Sequence, residues 1–474
     1  MRIELCDMLR VPAALAKAMQ VQLFDTSDTF GEAVGIGGIA TDSREVEPGD
    51  LFVALRGEHA DGAVYLYDAL SRGAVALLTD RAAPMPKDRF LHFIAQDPVD
   101  ALLRAAAWRR RQSDAFVIAV GGSTGKTTTK EALSTLLKEG GAVANTVGNY
   151  NSTLGLPLSV LSFREGCRFW VVEIGINHVG EMEKMAQTLL PDLAILTNVG
   201  TAHIGHFGDF STLLCEKGKI ASHLSKRGLL LAPSELPFKA FPCPRDRIRR
   251  VGNGRNVDFY MENVAMSEKG VKGDLICPDR VITNLDWSVP GTVGLTTLTT
   301  VAAAAALCGC GDDTIRNGLE RASVQTPRLR TFMIGERLVI DDTYNASPES
   351  VAGALEVLKY RAGTRPRVAV LGDMLELGTH SEILHKTVGE AAVRSGISML
   401  FTFGSKALQI ARSAASCGMP SGAIFSFEET EKNALARAIR CHAPHDAAIL
   451  FKASGKMRLC EIVEMIRRSD HLEC

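Results

Sequence analysis

The sequence lacks the features that would place it among membrane or exported proteins. Its 474 residues include no long hydrophobic run. The most apolar stretch, Val301–Leu307, is far shorter than the ~20 residues that a membrane-spanning helix needs. The N-terminal segment Met1–Cys6 has no apolar core of the signal-peptide type. We therefore expect no membrane span and a soluble, cytoplasmic protein.

The sequence also lacks a charge excess and any pattern of paired cysteines. Lys and Arg number 53 and Asp and Glu number 54, so the formal net charge is -1. A balanced chain has no general attraction for polyanions, and we expect no nucleic-acid partner. The 11 cysteines are scattered, odd in number and without a C-x-x-C, which indicates free thiols in a reducing compartment. Apolar heptads are absent too, which favours a monomer.

The most informative stretch that is present is the glycine-rich run Ala119–Thr129, AVGGSTGKTTT. An apolar run precedes it and a helix-forming run, Lys130–Lys138, follows it. In such a turn the backbone N–H groups surround phosphate, and the Lys-Thr pair serves the nucleotide phosphates and Mg²⁺. The strict pattern needs glycine where this chain has Val120, so the loop is a variant, and an ordinary strand-to-helix turn is the alternative. The residues predicted to hold a nucleotide are Gly122, Ser123, Thr124, Gly125, Lys126, Thr127 and Thr128.

Two later strands should deliver polar side chains to the same edge of the sheet. Glu173 lies near the end of the apolar run Phe169–Ile174, and an acid at that place is the usual Mg²⁺ partner of a phosphate loop. His203 follows the next strand, where open α/β sheets bind ligands. A solvent-facing Glu173 and a structural His203 stay open as alternatives. Lys217, on a helical segment further on, indicates by itself only a surface charge.

The first 112 residues contain no nucleotide motif. A polar run, Thr41–Arg44, comes before the buried strand predicted at Leu51–Leu55. Its Ser43 and Arg44 could hold a polar ligand, but spacing alone favours turn chemistry and a surface charge. In the following segment, the polar loop 148–157 lies close in sequence to the phosphate loop, and loops of this kind often carry function.

From residue 325 onward, short apolar runs alternate with helix-forming segments. Alternation of this kind predicts a parallel, doubly wound sheet whose polar loops share one edge. The predicted strands are 337–340, 368–371, 400–403 and 447–451, and the predicted helices begin near 348 and span 380–395, 406–415 and 430–440. The whole chain therefore predicts an α/β protein of three domains, 1–112, 113–324 and 325–474. The central domain would carry the phosphate loop on a mostly parallel sheet, and the third would be Rossmann-like.

Taken together, these runs resemble the Mur ligases, the ATP-dependent amide-forming ligases of bacterial cell-wall synthesis. The resemblance covers nearly the whole chain. The matching runs are TDSR (41–44), GKTT (125–128), GNYN (148–151), EIGINH (173–178), TNVGTAH (197–203), DDTYNASP (341–348), GDMLELG (372–378) and KAS (452–454). The runs DDTYNA and GDMLELG are most similar to the family member that joins D-alanyl-D-alanine (D-Ala-D-Ala) to UDP-MurNAc-tripeptide. The resemblance therefore implies ATP, Mg²⁺ and these two substrates.

The resemblance also implies roles for single residues. Lys126 and Thr127 would hold ATP phosphates and Mg²⁺, and Glu173 and His203 would serve a second metal ion. Lys217 would be carbamylated, so that a carbamate ligates Mg²⁺. The further nucleotide contacts implied are Asn149, Arg328 and Asp342. The substrate contacts implied are Ser43 and Arg44 for the UDP portion, and Asn151, Tyr344 and Asn345 nearer the reacting groups.

Two departures from the family pattern leave alternatives open. The run TTLTT at Thr296–Thr300, beside a predicted Ala-rich helix at Leu298–Leu307, replaces a His-Asn-x-x-Asn run on the adenine side. Lys452–Ser454 reads KAS where the family has KGS. The alternatives are another Mur-type ligase that adds an amino acid, a folylpolyglutamate-type synthase, or a non-catalytic nucleotide-binding protein. The absence of an Asp-Asn-Pro-Arg run counts against the diaminopimelate-adding member. Whether the tripeptide ends in lysine or diaminopimelate stays open.

Overall fold

The computed structural model describes residues 1–25, 35–57, 60–80, 89–323 and 328–470. Its three six-stranded sheets use strands from residues 2–94, 116–251 and 330–452, and a three-stranded sheet follows the second. This is the three-domain α/β architecture that the sequence predicts. The domain boundaries themselves stay predictions, and the one at 324/325 lies outside the described residues.

The first domain is a six-stranded sheet with helices. Its strands are β1 Arg2–Glu4, β2 Gln22–Asp25, β3 Gly38–Ala40, β4 Leu51–Val53, β5 Ala76–Thr79 and β6 Leu91–Ile94. Its helices are α1 Pro12–Met19, α2 Leu66–Ser71 and α3 Pro98–Arg111. The strand order is β1-β3-β4-β5-β6-β2, and β3 to β6 are parallel while β1 and β2 pair antiparallel at the edges.

The central domain has a parallel sheet in the order β12-β11-β10-β7-β9-β8. These strands are β7 Phe116–Gly121, β8 Val143–Asn145, β9 Phe169–Glu173, β10 Leu193–Leu196, β11 Leu229–Pro233 and β12 Ile248–Val251. An antiparallel sheet follows, with β13 Tyr260–Ser267, β14 Gly270–Ile276 and β15 Val281–Trp287. The helices are α4 Lys126–Leu137, α5 Gly155–Ser162, α6 Glu181–Leu189, α7 Ile204–Phe207, α8 Phe210–Gly218, α9 Gly291–Leu307 and α10 Asp312–Ser323.

The third domain has a sheet in the order β16-β17-β21-β18-β19-β20, parallel except for the edge strand β16. Its strands are β16 Arg330–Ile334, β17 Arg337–Asp341, β18 Arg367–Gly372, β19 Met399–Phe403, β20 Ile424–Phe427 and β21 Ala448–Lys452. Its helices are α11 Pro348–Ala362, α12 Ser381–Arg394, α13 Leu408–Ser416, α14 Lys432–His442 and α15 Cys460–Asp470. Both edge strands were missed from sequence, because β16 and β20 are partly exposed and lack a continuous buried apolar run.

The central parallel sheet explains why the strands before the polar loops read as apolar runs. In β7 the residues Val117 to Val120 are fully buried, as expected where helices cover both faces of a parallel sheet.

Helix α9 begins seven residues before the predicted start at Leu298. Its first turns are rich in glycine and threonine, which have low helix propensity, but most of the helix is buried and tertiary packing overrides propensity. No helix within the described ranges has the length and hydropathy to cross a membrane.

Candidate active site

A cavity of about 810 Å³ lies between the central and third domains. The phosphate loop, the carboxyl ends of β9 and β10, the first half of α9 and the loop after β17 form its walls. The predicted site residues that line it are Ser123, Thr124, Gly125, Lys126, Thr127, Thr128, Asn149, Asn151, Glu173, His203, Lys217, Arg328, Asp342, Tyr344 and Asn345. Residues that are widely separated in the sequence thus converge on one space.

The phosphate loop folds as a strand-to-helix turn with two glycines in backbone conformations that other residues rarely adopt. Gly122 has φ 140°, and a Cβ there would lie 2.0 Å from Thr197 Oγ1. Gly125 has φ 77° and is the N-cap of α4. Lys126 Nζ donates back across the loop to the Gly122 carbonyl at 3.0 Å, and burial lowers the pKa of Lys126 while the carboxylate of Glu173 opposes that effect. The loop is therefore preformed, with its cation already facing the cavity.

The end of β10 holds the phosphate loop in place, a function that the sequence did not reveal. Asn198 Oδ1 accepts from the Thr124 N–H at 3.0 Å, and Asn198 Nδ2 donates to Thr124 Oγ1 at 2.7 Å. Thr197 Oγ1 donates to the Thr124 carbonyl at 2.6 Å. Both residues belong to the TNVGTAH run, and their spacing after a buried strand was the available signal.

Lys217 is buried, with 2% of its surface exposed, so the interpretation as a surface charge is wrong. Its Nζ donates to the Gly122 carbonyl at 3.2 Å, which brings it into the phosphate loop from the end of α8. Burial, together with the positive charge of nearby Lys126, lowers the pKa of Lys217 to about 7. An amine with this pKa is partly uncharged at neutral pH and can act as a nucleophile.

Glu173 is buried at the end of β9, and its two carboxylate oxygens differ in their hydrogen bonding. Asn151 Nδ2 donates to Glu173 Oε1 at 2.7 Å. Glu173 Oε2 is also buried, and it has no hydrogen-bond partner among the residues that the structure describes. A buried carboxylate oxygen without a partner is costly, and a cation in the cavity would satisfy it. The alternative of a solvent-facing Glu173 is therefore wrong.

His203 contacts the third domain through one ring nitrogen. It is the N-cap of α7 with φ 65°, and its Nδ1 lies 2.5 Å from Glu376 Oε2. Glu376 lies in the GDMLELG run, and the sequence did not single it out. A carboxylate at Nδ1 fixes the orientation of the ring and makes Nε2 the nitrogen that can bind a ligand. Metal-ligating histidines commonly have such a carboxylate partner.

The third domain contributes an aromatic and ionic wall. The guanidinium carbon of Arg328 lies 3.5 Å from the centroid of the Tyr344 ring, close enough for a cation–π contact. Burial lowers the pKa of Arg328, and the nearby Asp342 opposes that effect. Asp342 is ion-paired with Lys452, whose Nζ also donates to the Asn345 carbonyl at 2.8 Å. Lys452 of the KAS run thus holds two of the predicted residues in place.

Three family models match this chain. The family description Mur ligase family, catalytic domain, matches residues 35–105; Mur ligase middle domain matches 120–308; and Mur ligase, glutamate ligase domain, matches 328–455. The UDP-N-acetylmuramoyl-tripeptide--D-alanyl-D-alanine ligase of Bacillus subtilis is 32% identical over 449 residues, which cover 91% of this chain and 93% of that protein. This chain belongs to the Mur ligase family.

Solved structures narrow the relation to the MurF type of Mur ligase. A crystal structure of MurF from Acinetobacter baumannii has a TM-score of 0.84 at 26% identity, and the match covers 98% of this chain and 99% of that one. MurF from Thermotoga maritima in complex with ADP has a TM-score of 0.79 at 27% identity, covering 92% and 98%. The predicted family, its MurF type, the three-domain fold and an ATP-dependent amide-forming ligase activity are confirmed.

Two predicted residues of this Mur ligase lie away from the cavity, in the first domain. Ser43 is buried, and Arg44 is exposed and makes a two-point contact with Asp42, with Nη2 and Oδ2 2.6 Å apart. The Asp42 side chain also caps this turn by accepting from the Arg44 N–H. The turn chemistry that spacing favoured is therefore present, and a role toward UDP stays a prediction.

The loop after β8 connects the first domain to the cavity of this Mur ligase. Tyr150 and Leu154 pack against the core of the first domain. On either side of Tyr150, Asn149 is exposed at the cavity rim and Asn151 holds Glu173. The loop thus spans the distance between the domain that carries Ser43 and the carboxylate at the end of β9.

Threonines of α9, in the run TTLTT that departs from the expected family pattern, form part of the cavity wall. Thr296, Thr297 and Thr300 line the cavity. Thr297 Oγ1 donates to the Val293 carbonyl at 2.8 Å, one helical turn earlier. Its hydroxyl proton is therefore engaged within the helix, and the oxygen keeps only acceptor capacity toward a ligand.

Proposed function

We propose that this protein uses ATP to join D-Ala-D-Ala to UDP-MurNAc-tripeptide, a step in the synthesis of peptidoglycan precursors. The observation that carries the proposal is one cavity that combines a phosphate loop, a buried carboxylate with an unpaired oxygen and a buried, partly uncharged lysine. The third domain closes this cavity with Arg328, Asp342 and Asn345. The combination suits transfer of a phosphoryl group to a carboxylate better than simple nucleotide binding.

The first chemical step would activate the tripeptide carboxylate. A carboxylate oxygen attacks the γ-phosphorus of ATP, the bond to the β,γ-bridging oxygen breaks, and ADP and an acyl phosphate form. Lys126 and Arg328, both lining the cavity, would stabilise the negative charge that spreads over the phosphoryl oxygens. The phosphate loop needs no rearrangement for this, because Asn198 and Thr197 already fix it.

Mg²⁺ is the cation that fits the donors of this cavity. The Thr127 hydroxyl on α4 and the Glu173 carboxylate on β9 both line it, and Glu173 Oε2 is the buried oxygen without a partner within the described residues. His203 would offer Nε2, since its Nδ1 faces Glu376. Bound there, two Mg²⁺ ions would neutralise phosphate charge during the transfer.

Lys217 would complete this metal set as a carbamate. The uncharged Nζ forms a bond to the carbon of CO₂, one C=O π bond becomes the carbamate oxyanion, and one proton leaves the nitrogen, so that a neutral amine becomes an anionic carbamate. Among the described residues, no group of three or more His, Cys, Asp or Glu side chains could hold a metal ion. A carbamate at Lys217 would supply the additional anionic oxygen that the unmodified side chains do not provide.

The dipeptide would bind in a smaller cavity of about 100 Å³ beside His203. The residues that line it include the acidic Glu376, the basic Lys456 and the apolar Leu375. D-Ala-D-Ala is a zwitterion, so Lys456 would bind its carboxylate and Glu376 would bind its amino group. His203 and Glu376 also line the larger cavity, so the amine would meet the acyl phosphate there. The ammonium first gives up one proton, and the resulting amine then attacks the acyl carbon. The C–O bond to phosphate breaks as the amide forms, and the second proton from the nitrogen leaves with the expelled phosphate.

Phosphate release in the presence of ATP and UDP-MurNAc-tripeptide tests this function. D-Ala-D-Ala should support release and a product that contains both substrates, whereas single amino acids and folates should not. Release with a single amino acid, or none with the dipeptide, would overturn the proposal. Tripeptides ending in lysine and in diaminopimelate should be compared in the same assay. We also propose that the protein is cytoplasmic, because ATP and UDP-linked precursors occur there, and that it is a monomer.

A further inference from the structure

A second lysine on α4 is buried more completely than Lys126 and has no part in the reaction above. Lys130 has none of its surface exposed. Its Nζ donates to the Thr146 carbonyl at 2.7 Å and lies 2.7 Å from Glu131 Oε1. A buried ammonium is costly unless it is paired and its hydrogens are bonded. Glu131 balances the charge of Lys130, and the bond to the Thr146 carbonyl fixes this lysine to the loop after β8.

Thr146, the residue that Lys130 holds, in turn holds Glu173. Thr146 is fully buried, and its Oγ1 accepts from the Glu173 N–H at 3.0 Å. The loop that begins directly after Thr146 carries Asn151, which donates to Glu173 Oε1 at 2.7 Å. Both the backbone and the side chain of Glu173 are therefore supported from the segment that Lys130 anchors.

Lys130 also lies on the same face of α4 as Thr127, three residues away. Thr127 on α4 and Glu173 on β9 both line the cavity and are the proposed oxygen ligands of the cation. A bond from Lys130 to Thr146 thus ties the helix that carries the Thr127 hydroxyl to the segment that supports the Glu173 carboxylate.

We propose that Lys130 is a positioning residue that sets the separation of Thr127 and Glu173 for a divalent cation. The inference rests on the cation site of the proposed function, but not on the identity of the substrates. Residues that orient metal ligands typically change metal affinity or activity by about 10–100-fold when they are removed. Lys130 acts without touching the cation, ATP or either substrate, because it is enclosed by protein.

The test is Lys130→Met, which keeps the length of the side chain and removes its charge and hydrogen-bond donors. Half-saturating Mg²⁺ for phosphate release should rise about 10-fold or more. The affinity of the ADP complex for Mn²⁺ should fall by a similar factor. The EPR signal of free Mn²⁺ measures this affinity in the absence of turnover. ADP binding in the presence of EDTA should stay within about 2-fold of wild type. Lys138→Met, at the exposed end of the same helix, is the matched control.

If Lys130→Met fails to fold, a second variant tests the hydrogen bond between Thr146 and Glu173. Thr146→Val removes the hydroxyl that accepts from the Glu173 N–H and preserves the shape of the side chain. It should also raise the Mg²⁺ and Mn²⁺ requirements. The proposal would be overturned if a folded variant needed no more Mg²⁺ or Mn²⁺ than Lys138→Met does. It would also be overturned if ADP binding in EDTA weakened by the same factor as metal binding. Because Mn²⁺ binding is measured without tripeptide or dipeptide, failure of the proposed substrates would not be confused with failure of this inference.

Discussion

Glu376 in the third domain holds the imidazole of His203 in the central domain, with Oε2 and Nδ1 2.5 Å apart. The backbones meet as well, since the Gly205 N–H donates to the Glu376 carbonyl at 3.1 Å. The hydrogen bond to His203 lowers the pKa of Glu376, so this carboxylate stays ionised. The partners come from different domains, and the orientation of His203 therefore depends on how these domains are arranged.

Removal of this carboxylate should slow the reaction more than it weakens ATP binding. We expect Glu376→Ala to lower kcat about 10–100-fold, because the ring of His203 loses its orientation, and to change KM for ATP much less. Glu376→Gln retains an acceptor for Nδ1–H and should lie between Ala and wild type. Steady-state phosphate release measures both constants. Glu382→Ala, an exposed acid of the same domain, is the control, and equal effects of the two alanine variants would refute this role.

Lys217→Ala should abolish most activity, since the site would lose a metal-ligating carbamate. We expect a loss of roughly 100-fold or more. Acetate or formate, which can supply a carboxylate in the vacated space, should restore part of it. The wild-type peptide that contains Lys217 should carry the mass of one CO₂ when it is trapped under mild conditions. Lys226→Ala serves as an exposed control. Full activity of Lys217→Ala would contradict the prediction.

Arg328 should act through both its charge and its stacking on Tyr344. A cation–π contact stabilises by about 0.5–2 kcal/mol, which corresponds to roughly 2–30-fold in affinity. Arg328→Lys keeps the charge but not the flat guanidinium, and we expect KM for ATP to rise within that range. Tyr344→Leu should resemble it, whereas Tyr344→Phe, which keeps the ring, should stay close to wild type. A Leu variant that matches the Phe variant would argue against the stacking contribution.

The stability of the third domain should fall in mild acid because of His385. This buried side chain accepts the Met374 N–H at Nε2, and its Nδ1 lies 2.7 Å from the Ser381 carbonyl. Burial lowers the pKa of His385; the charge of Lys406 acts in the same direction, while Asp373 and the bond to Ser381 oppose it. The neutral ring therefore belongs to the folded state, and the unfolded chain binds the extra proton.

The sign of the pH effect follows from this linkage. The contribution of His385 is fully present above pH ~6.5, the ordinary histidine pKa, and is lost as the pH falls toward the lowered value of the folded state. This single group contributes a slope of at most ~1.4 kcal/mol per pH unit. Urea unfolding between pH 8 and 5 measures it. His385→Gln should flatten the slope, whereas His445→Gln, at an exposed position, should not. Equal slopes in both variants would contradict the assignment.

The sequence alone determined what depends on local order along the chain. The phosphate loop could be predicted because glycine, lysine and threonine act within one strand-to-helix turn. The three-domain α/β architecture followed from the alternation of apolar strands and helices, and the matching runs indicated the family. Where short-range patterns were weak, prediction failed: the edge strands β16 and β20 were missed, and α9 was predicted to be too short.

Only the tertiary structure decided what long-range packing creates. The local pattern around Lys217 indicated only a surface charge, and the family resemblance alone implied a ligand; folding brings it to Gly122, 95 residues away, where burial lowers its pKa. His203 meets Glu376 across 173 residues. Lys130 reads as an ordinary helical lysine, yet it is enclosed and bonded to the loop that supports Glu173. Burial and contact between distant segments depend on how elements pack together, and local sequence patterns contain no record of that packing.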